Sequence, residues 1–150
     1  FDKMRRLSCD RIWIDALTQA AEEGKRNLKW EHLAAADAPD APRSHKFKFG
    51  KLIERANRFS QAELAEHIGA DVLLVHPGLL GRYADHGSMQ ILERWRDRAN
   101  TDEGPRLLWM LIPADRQSDD PKLHGHAVPR MSRGEVMRIG RQWVKRAVAE

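Results

Sequence analysis

The chain alternates between helix-period stretches and short, almost uncharged runs. From Asp10 to Glu23, Trp13, Leu17, Ala20 and Ala21 recur at helical spacing with Ile14 beside them, and Gly24 is placed to end that helix. A shorter helix is predicted over Leu28 to Ala36, with Trp30, Leu33 and Ala34 as its apolar side. ADAPDAPRSH, with Pro39 and Pro42, then reads as a surface loop. Phe47 to Gly69 is mostly helical, carrying the stripe Phe49, Leu52, Ile53, Ala56 and Phe59, which Leu64 and Ile68 continue. Ser60 and Glu63 have capping-box spacing, so this stretch is either two helices broken at Ser60 or one long helix.

The segment SQAELAEHIGADVLLVHPGLL, Ser60 to Leu80, opens like a helix-turn-helix, with a short helix and then a glycine turn. In that motif the second helix exposes polar side chains to base edges. Here the second half is DVLLVHPGLL. Four consecutive aliphatics, two of them valine, favour a strand buried on both faces. Pro77 would break a helix and pushes the preceding residue out of the helical region. The resemblance to helix-turn-helix therefore stops at Gly69, and the better reading is helix, glycine, buried strand over Val72 to His76, then a turn at Pro77-Gly78.

Leu79 to Ala99 follows as a helical stretch interrupted around Asp85-His86-Gly87-Ser88, with Met89, Leu92 and Trp95 at helical spacing and Ile91 beside them. RLLWMLIP, Arg106 to Pro113, is a second buried-strand candidate. Strand, helix, strand with both strands buried is the signature of a right-handed βαβ unit in a parallel sheet. The expected fold class is α/β: a small Rossmann-like domain with a parallel βαβ core, strands near 72–76 and 106–113, and a helical N-terminal lead-in. After the core, ADRQSDDPKLHG reads as a polar loop and HAVPR as a short strand. The tail is either a helix from Ser132 to Glu150 or a strand over Glu135 to Ile139 before a helix from Arg141 to Ala149.

At 150 residues the chain suits one α/β domain spanning 1–150 with a real core. Because it begins at Phe1, a fragment cut from a larger protein is expected. The start FDKMRRLSCD is polar and lacks a signal-peptide pattern. The longest apolar run, LLWMLIPA, is too short to span a bilayer. Cys9 is the only cysteine, which excludes an internal disulfide and a cysteine-based zinc cluster. These features fit a cytoplasmic setting. A net charge of +4 and a pI near 9.5 are compatible with DNA or another acidic partner, although acidic residues interleave with the arginines.

In open α/β sheets, ligands bind beyond the carboxyl ends of the strands. That rule makes His76, Arg82, Tyr83, Asp115 and Arg116 a candidate crevice for a small ligand or nucleotide. RWRDR and RQWVKR supply a candidate basic patch of Arg94, Arg96, Arg141 and Lys145. No G-x-x-x-x-G-K-[ST] occurs, no G-x-G-x-x-G follows the first strand, and the kinase H-R-D and D-F-G motifs are absent. Ser88 lies in HGSMQ rather than a nucleophile elbow, and Cys9 has no paired histidine in sequence. His124-Gly125-His126 places two histidines in i, i+2 register, but spacing identifies no third ligand, so no metal is expected. Of the five tryptophans, Trp13, Trp95, Trp109 and Trp143 fall on predicted apolar faces and are expected in the core.

The order of VLLVHPGLLGRY, ILERWRD, GPRLLWMLIPADRQ and HGHAVP, with RQW later, resembles the C-terminal region of the large PglW-type serine/threonine kinases of bacterial phage-growth-limitation and BREX type 2 defence systems. The helical lead-in DRIWIDALTQAAEE belongs to the same resemblance. It implies a parent kinase acting against phage in the cytoplasm, whose ATP and Mg bind residues outside this chain. On that reading the chain itself carries no catalytic residue and no cofactor. It would be an interaction domain holding the kinase to other protein components of the same system, with a nucleic-acid-binding domain or a small-ligand module as alternatives.

Overall fold

The computed structural model describes residues 4–24, 29–60, 63–113, 120–130 and 136–139. It is an α/β arrangement with a three-stranded parallel sheet in the order β1 (Arg5–Ser8), β2 (Asp71–Val75), β3 (Leu107–Met110). Ser8 lies opposite Val75, and Leu74 opposite Met110. β2 is the middle strand, which accounts for its run of aliphatics. Val72 and Leu74 are wholly buried on one face and Val75 is buried on the other. The parallel pairing of β2 with β3 across an intervening helical segment is the expected βαβ core, and the strand order suits a small Rossmann-like domain.

The strand ends differ slightly from the sequence reading. β2 stops at Val75 because His76 takes a left-handed backbone, φ 52°, which no strand accommodates. β3 is shorter than 106–113, although the Leu111 amide still donates to the Leu74 carbonyl at 2.9 Å. Nor is it the buried strand expected: as the other edge of the sheet it leaves Leu107 and Leu111 exposed and Trp109 only half-buried. β1 was not foreseen. Its sequence, RRLS, has a single apolar residue because it is an edge strand whose two arginines stay exposed.

The helices cover the sheet with one continuous core. α1 (Cys9–Glu23) buries Ile12, Trp13, Ala16, Leu17, Ala20 and Ala21, mostly against Phe49, Leu52, Ile53 and Ala56 of α3 (Arg43–Phe59). α3 begins four residues before the predicted Phe47. Pro42 fixes its own φ at −55°, and its carbonyl takes the amides of His45 and Lys46. α3 ends at Phe59, so the break at Ser60 is the alternative that forms, with a 3-10 turn at Glu63–His67 beyond it. The predicted apolar side of α2 (Trp30–Asp37) is corrected. Ala36 is its buried residue, Leu33 is half-buried, and Trp30 and Ala34 are exposed, because α2 meets α3 through its last turn.

α4 (Gly78–Arg82) and α5 (Met89–Arg98) are separated by a 3-10 turn and by Gly87 at φ 82°, which is the interruption expected there. Ile91, Leu92 and Trp95 anchor α5 in the core. The supposed polar loop before HAVPR contains β4 (Lys122–Leu123), paired antiparallel with β5 (His126–Ala127). His124 and Gly125, at φ 49° and 86°, form the two-residue turn between them, a conformation that matches hairpin twist. Leu123 is buried against Gly81, where a β-carbon would come within 2.5 Å of it. Residues 136–139 adopt neither the helix nor the strand expected of the tail, and the rest of that prediction lies outside the described residues.

Candidate functional site

Two places gather polar chemistry. The first is the carboxyl edge of the sheet. Ser8 ends β1 and caps α1, its Oγ accepting from the Arg11 amide at 3.3 Å. Asp10, in the first turn of α1, reaches across to the chain leaving β2. Its Oδ1 accepts from the Leu79 amide at 2.8 Å, while its own amide donates to the His76 carbonyl at 3.0 Å. The His76 ring is exposed, with Nδ1 3.4 Å from Ser8 Oγ. Ser8, His76 and Asp10 thus share an edge, but no nucleophilic relay is assembled. The Asp10 carboxylate holds a backbone amide rather than the imidazole, and the Ser8–His76 contact is at the outer limit of a hydrogen bond. Between them Cys9 is fully buried. Burial first, and Asp10 second, push its thiol up to about 12, which keeps it protonated and unreactive at neutral pH.

The residues named for the strand-end crevice fall in different settings. His76 sits on the edge as expected. Tyr83 is buried, its ring stacked on Trp13 at 4.8 Å and meeting Phe49 edge-on at 5.7 Å. Burial raises the Tyr83 phenol above its ordinary value, with Asp37 adding to the effect. Arg82 turns to α2, donating through Nε at 3.2 Å and Nη2 at 2.6 Å to Asp37 Oδ2. Together these two side chains fasten α4 to α1, α2 and α3. Asp115 and Arg116 lie outside the described residues, as do Arg141 and Lys145 of the basic patch.

Arg94 and Arg96, two residues apart on α5, point to different sides of the helix. Arg96 is paired with Asp97 at 2.7 Å. Arg94 instead faces the second place, a half-open cleft of about 430 Å³ between α3 and α5. Arg58 and Glu54 line it from α3, and Gln90 and Arg94 from α5. Its inner end is a buried polar network. Asn57 Nδ2 donates to the His86 carbonyl at 2.8 Å, and Ser88 Oγ donates to Asn57 Oδ1 at 3.1 Å. The His86 ring rests on α3 at Gly50, where a β-carbon would approach it to 2.7 Å. Glu54 is held by Lys51 at 2.7 Å, a bond that keeps its carboxyl below the ordinary range. Arg58 and Arg94 have no ion pair among the described residues.

Sequence reasoning named Arg94, as part of a basic patch, but not Arg58, Ser8 or Asp10. For Ser8 the signal was present, a serine immediately before a helix-period run with an acid in its first turn. For Arg58 there was none, because its partnership with Arg94 is made by packing across 36 residues of chain. His124 and His126 do not share a strand face, since His124 belongs to the hairpin turn. Among the described residues, no group of three histidine, cysteine or acidic side chains is arranged to hold a metal ion. No helix among them is long and apolar enough to cross a membrane.

No protein-family model matches the chain, and no solved structure matches it significantly. A curated relative does. The chain is 28% identical over 145 residues, 92% of its own length, to the probable kinase PglW of Streptomyces coelicolor. It spans only 9% of that protein's length, which fits a region of a kinase outside the catalytic domain. What the chain resembles, over nearly all of its own length, is one short segment of a PglW-like kinase.

Proposed function

We propose that this chain is a non-catalytic accessory domain of a phage-defence serine/threonine kinase, holding the kinase to another protein of the same, BREX-type system. The observation that carries this reading is the similarity to one short segment of a much longer probable kinase. The absence of P-loop, H-R-D and D-F-G motifs from the chain's own sequence supports it. On this reading ATP and Mg bind elsewhere in the parent, and the domain works in the cytoplasm. Large apolar side chains left on the surface support a docking role. Trp30 is 50% exposed, Phe47 67% and Ile68 57%.

The test is to delete this segment from the parent kinase. Phosphorylation of a generic substrate by the purified protein should persist, while protection against phage should be lost. Loss of turnover in a parent that still folds would place the segment in the catalytic machinery and overturn the reading.

A second reading, nucleic-acid binding, is favoured by the basic balance and by Arg58 and Arg94, which make no ion pair among the described residues. It predicts anisotropy changes with labelled double-stranded DNA that fall steeply between low and moderate salt. Flat anisotropy at low salt removes it.

A further inference from the structure

The accessory role does not say what the cleft between α3 and α5 binds, and the chemistry of that cleft is specific. Arg58 and Arg94 bring two guanidinium groups to one cleft without an ion pair among the described residues. Glu54, the carboxylate at its rim, is hydrogen-bonded by Lys51 at 2.7 Å, and Arg58 and His86 add to the positive field around it without forming an ion pair with it among the described residues. The floor is rigid, because buried Asn57 ties Ser88 to the His86 carbonyl. Gln90 supplies an amide, and its Oε1 lies 3.4 Å from Arg94 Nη2. The first amides of α5 are mostly committed: Gln90 donates to the Gly87 carbonyl and Ile91 to that of Ser88. Anion recognition here therefore rests on the side chains.

We infer that this cleft binds a phosphate monoester presented as a phosphorylated serine or threonine side chain. A monoester carries roughly −1.5 to −2 charge and three acceptor oxygens, which two arginine forks can match. A phosphodiester backbone fits less well. It offers a single charge per phosphate and needs a track of cations, whereas the next arginine on α5, Arg96, is neutralised by Asp97 and Glu93 is exposed beside it. A nucleotide or other small metabolite fits less well too. Such ligands are mostly buried in apolar walls, and this cleft is half-open and lined by polar side chains. An open cleft suits an anionic group tethered to a larger partner. The inference stands on the cleft and not on the resemblance to a kinase.

The experiment is a ¹⁵N NMR titration of the 150-residue chain at fixed ionic strength. The probes are a short neutral peptide containing phosphothreonine, the same peptide unphosphorylated, inorganic phosphate, and a short duplex DNA. Saturable shifts at Gly87, Gln90 and Arg94 are expected with the phosphopeptide and absent with its unphosphorylated form. Arg58→Ala and Arg94→Ala should each weaken binding roughly tenfold, the size of one charge-assisted hydrogen bond. Arg96→Ala should leave it unchanged. All three are exposed or half-exposed side chains, so the variants keep the fold. Inorganic phosphate binding as tightly as the phosphopeptide would overturn the peptide source. Tighter binding of DNA at these residues, or phosphopeptide shifts that neither saturate nor depend on Arg58 and Arg94, would overturn the assignment.

Discussion

The carboxyl edge of the sheet and the α3–α5 cleft hold comparable sets of polar side chains and use them in opposite ways. At the sheet edge, Ser8 and Asp10 satisfy backbone amides, Asp10 joins α1 to the chain leaving β2, and Cys9 is sealed beneath them. Those groups make a joint between secondary-structure elements. In the cleft, the buried members Asn57 and Ser88 satisfy each other and the backbone, while the charged members Arg58 and Arg94 remain open to solvent. A polar cluster is a candidate for recognition when its charges are left over after the fold's own hydrogen bonds have been met. The position of a cluster at strand ends is not enough.

The sharpest way to break this contrast is to remove Asp10. Asp10→Ala leaves the Leu79 amide without its partner and unties α1 from the chain after β2, so it should cost about 2 kcal/mol of stability in urea unfolding. A change below about 0.5 kcal/mol would show that the edge is not a joint.

Cys9 gives the next effect. Its thiol is raised to about 12 in the folded chain, whereas the unfolded thiol ionises near its ordinary value. The stabilising difference is complete below the unfolded value and is lost as pH rises toward the folded one. Stability should therefore fall by about 1 kcal/mol between pH 9 and 10, and Cys9→Ala should flatten that slope. The native thiol should also resist alkylation at pH 7 and react once the chain is unfolded.

On the other side of the comparison, Arg58→Ala and Arg94→Ala should change stability by less than about 0.5 kcal/mol, since neither is needed by the fold. Destabilisation as large as that of Asp10→Ala would make the cleft a second joint.

The smallest effect concerns the opposite end of the sheet, where Arg106 forks onto Asp71 through Nε at 2.8 Å and Nη2 at 2.6 Å. That bond holds the Asp71 carboxyl below its ordinary value. Its contribution is present above the unfolded carboxylate range and fades as pH falls through the lowered value. Arg106→Ala should slightly weaken the acid dependence of unfolding and leave stability near neutral pH almost unchanged.

The fold was legible where burial dictates composition. β2 is covered on both faces, so its sequence is nearly pure aliphatic. Its partnership with β3 followed from a second apolar run beyond a helix, although that run is a half-buried edge strand with Leu107 and Leu111 exposed. β1 was hidden because an edge strand needs only Leu7 as an apolar anchor. The HGH hairpin was hidden because histidine at positive φ is uncommon, so His124-Gly125 did not read as a turn. The cleft was half legible: Arg94 stood out in an arginine-rich helix, but Arg58 joins it only through the packing of α3 beside α5. His76 was located by the rule for strand ends, whereas Arg82 and Tyr83 follow it into α4 and its packing rather than onto the edge.

The measurement that bears most directly on this contrast is quantitative co-purification with the tagged chain from cells carrying the whole proposed defence system. It should be done for the unsubstituted chain, Arg58→Ala/Arg94→Ala and His76→Asn, asparagine being a residue that tolerates the left-handed backbone at this position. The account predicts that system proteins are recovered with the unsubstituted and His76→Asn chains and lost with the double arginine variant. Recovery that survives loss of both arginines but fails with His76→Asn would place the working surface at the strand edge and contradict it.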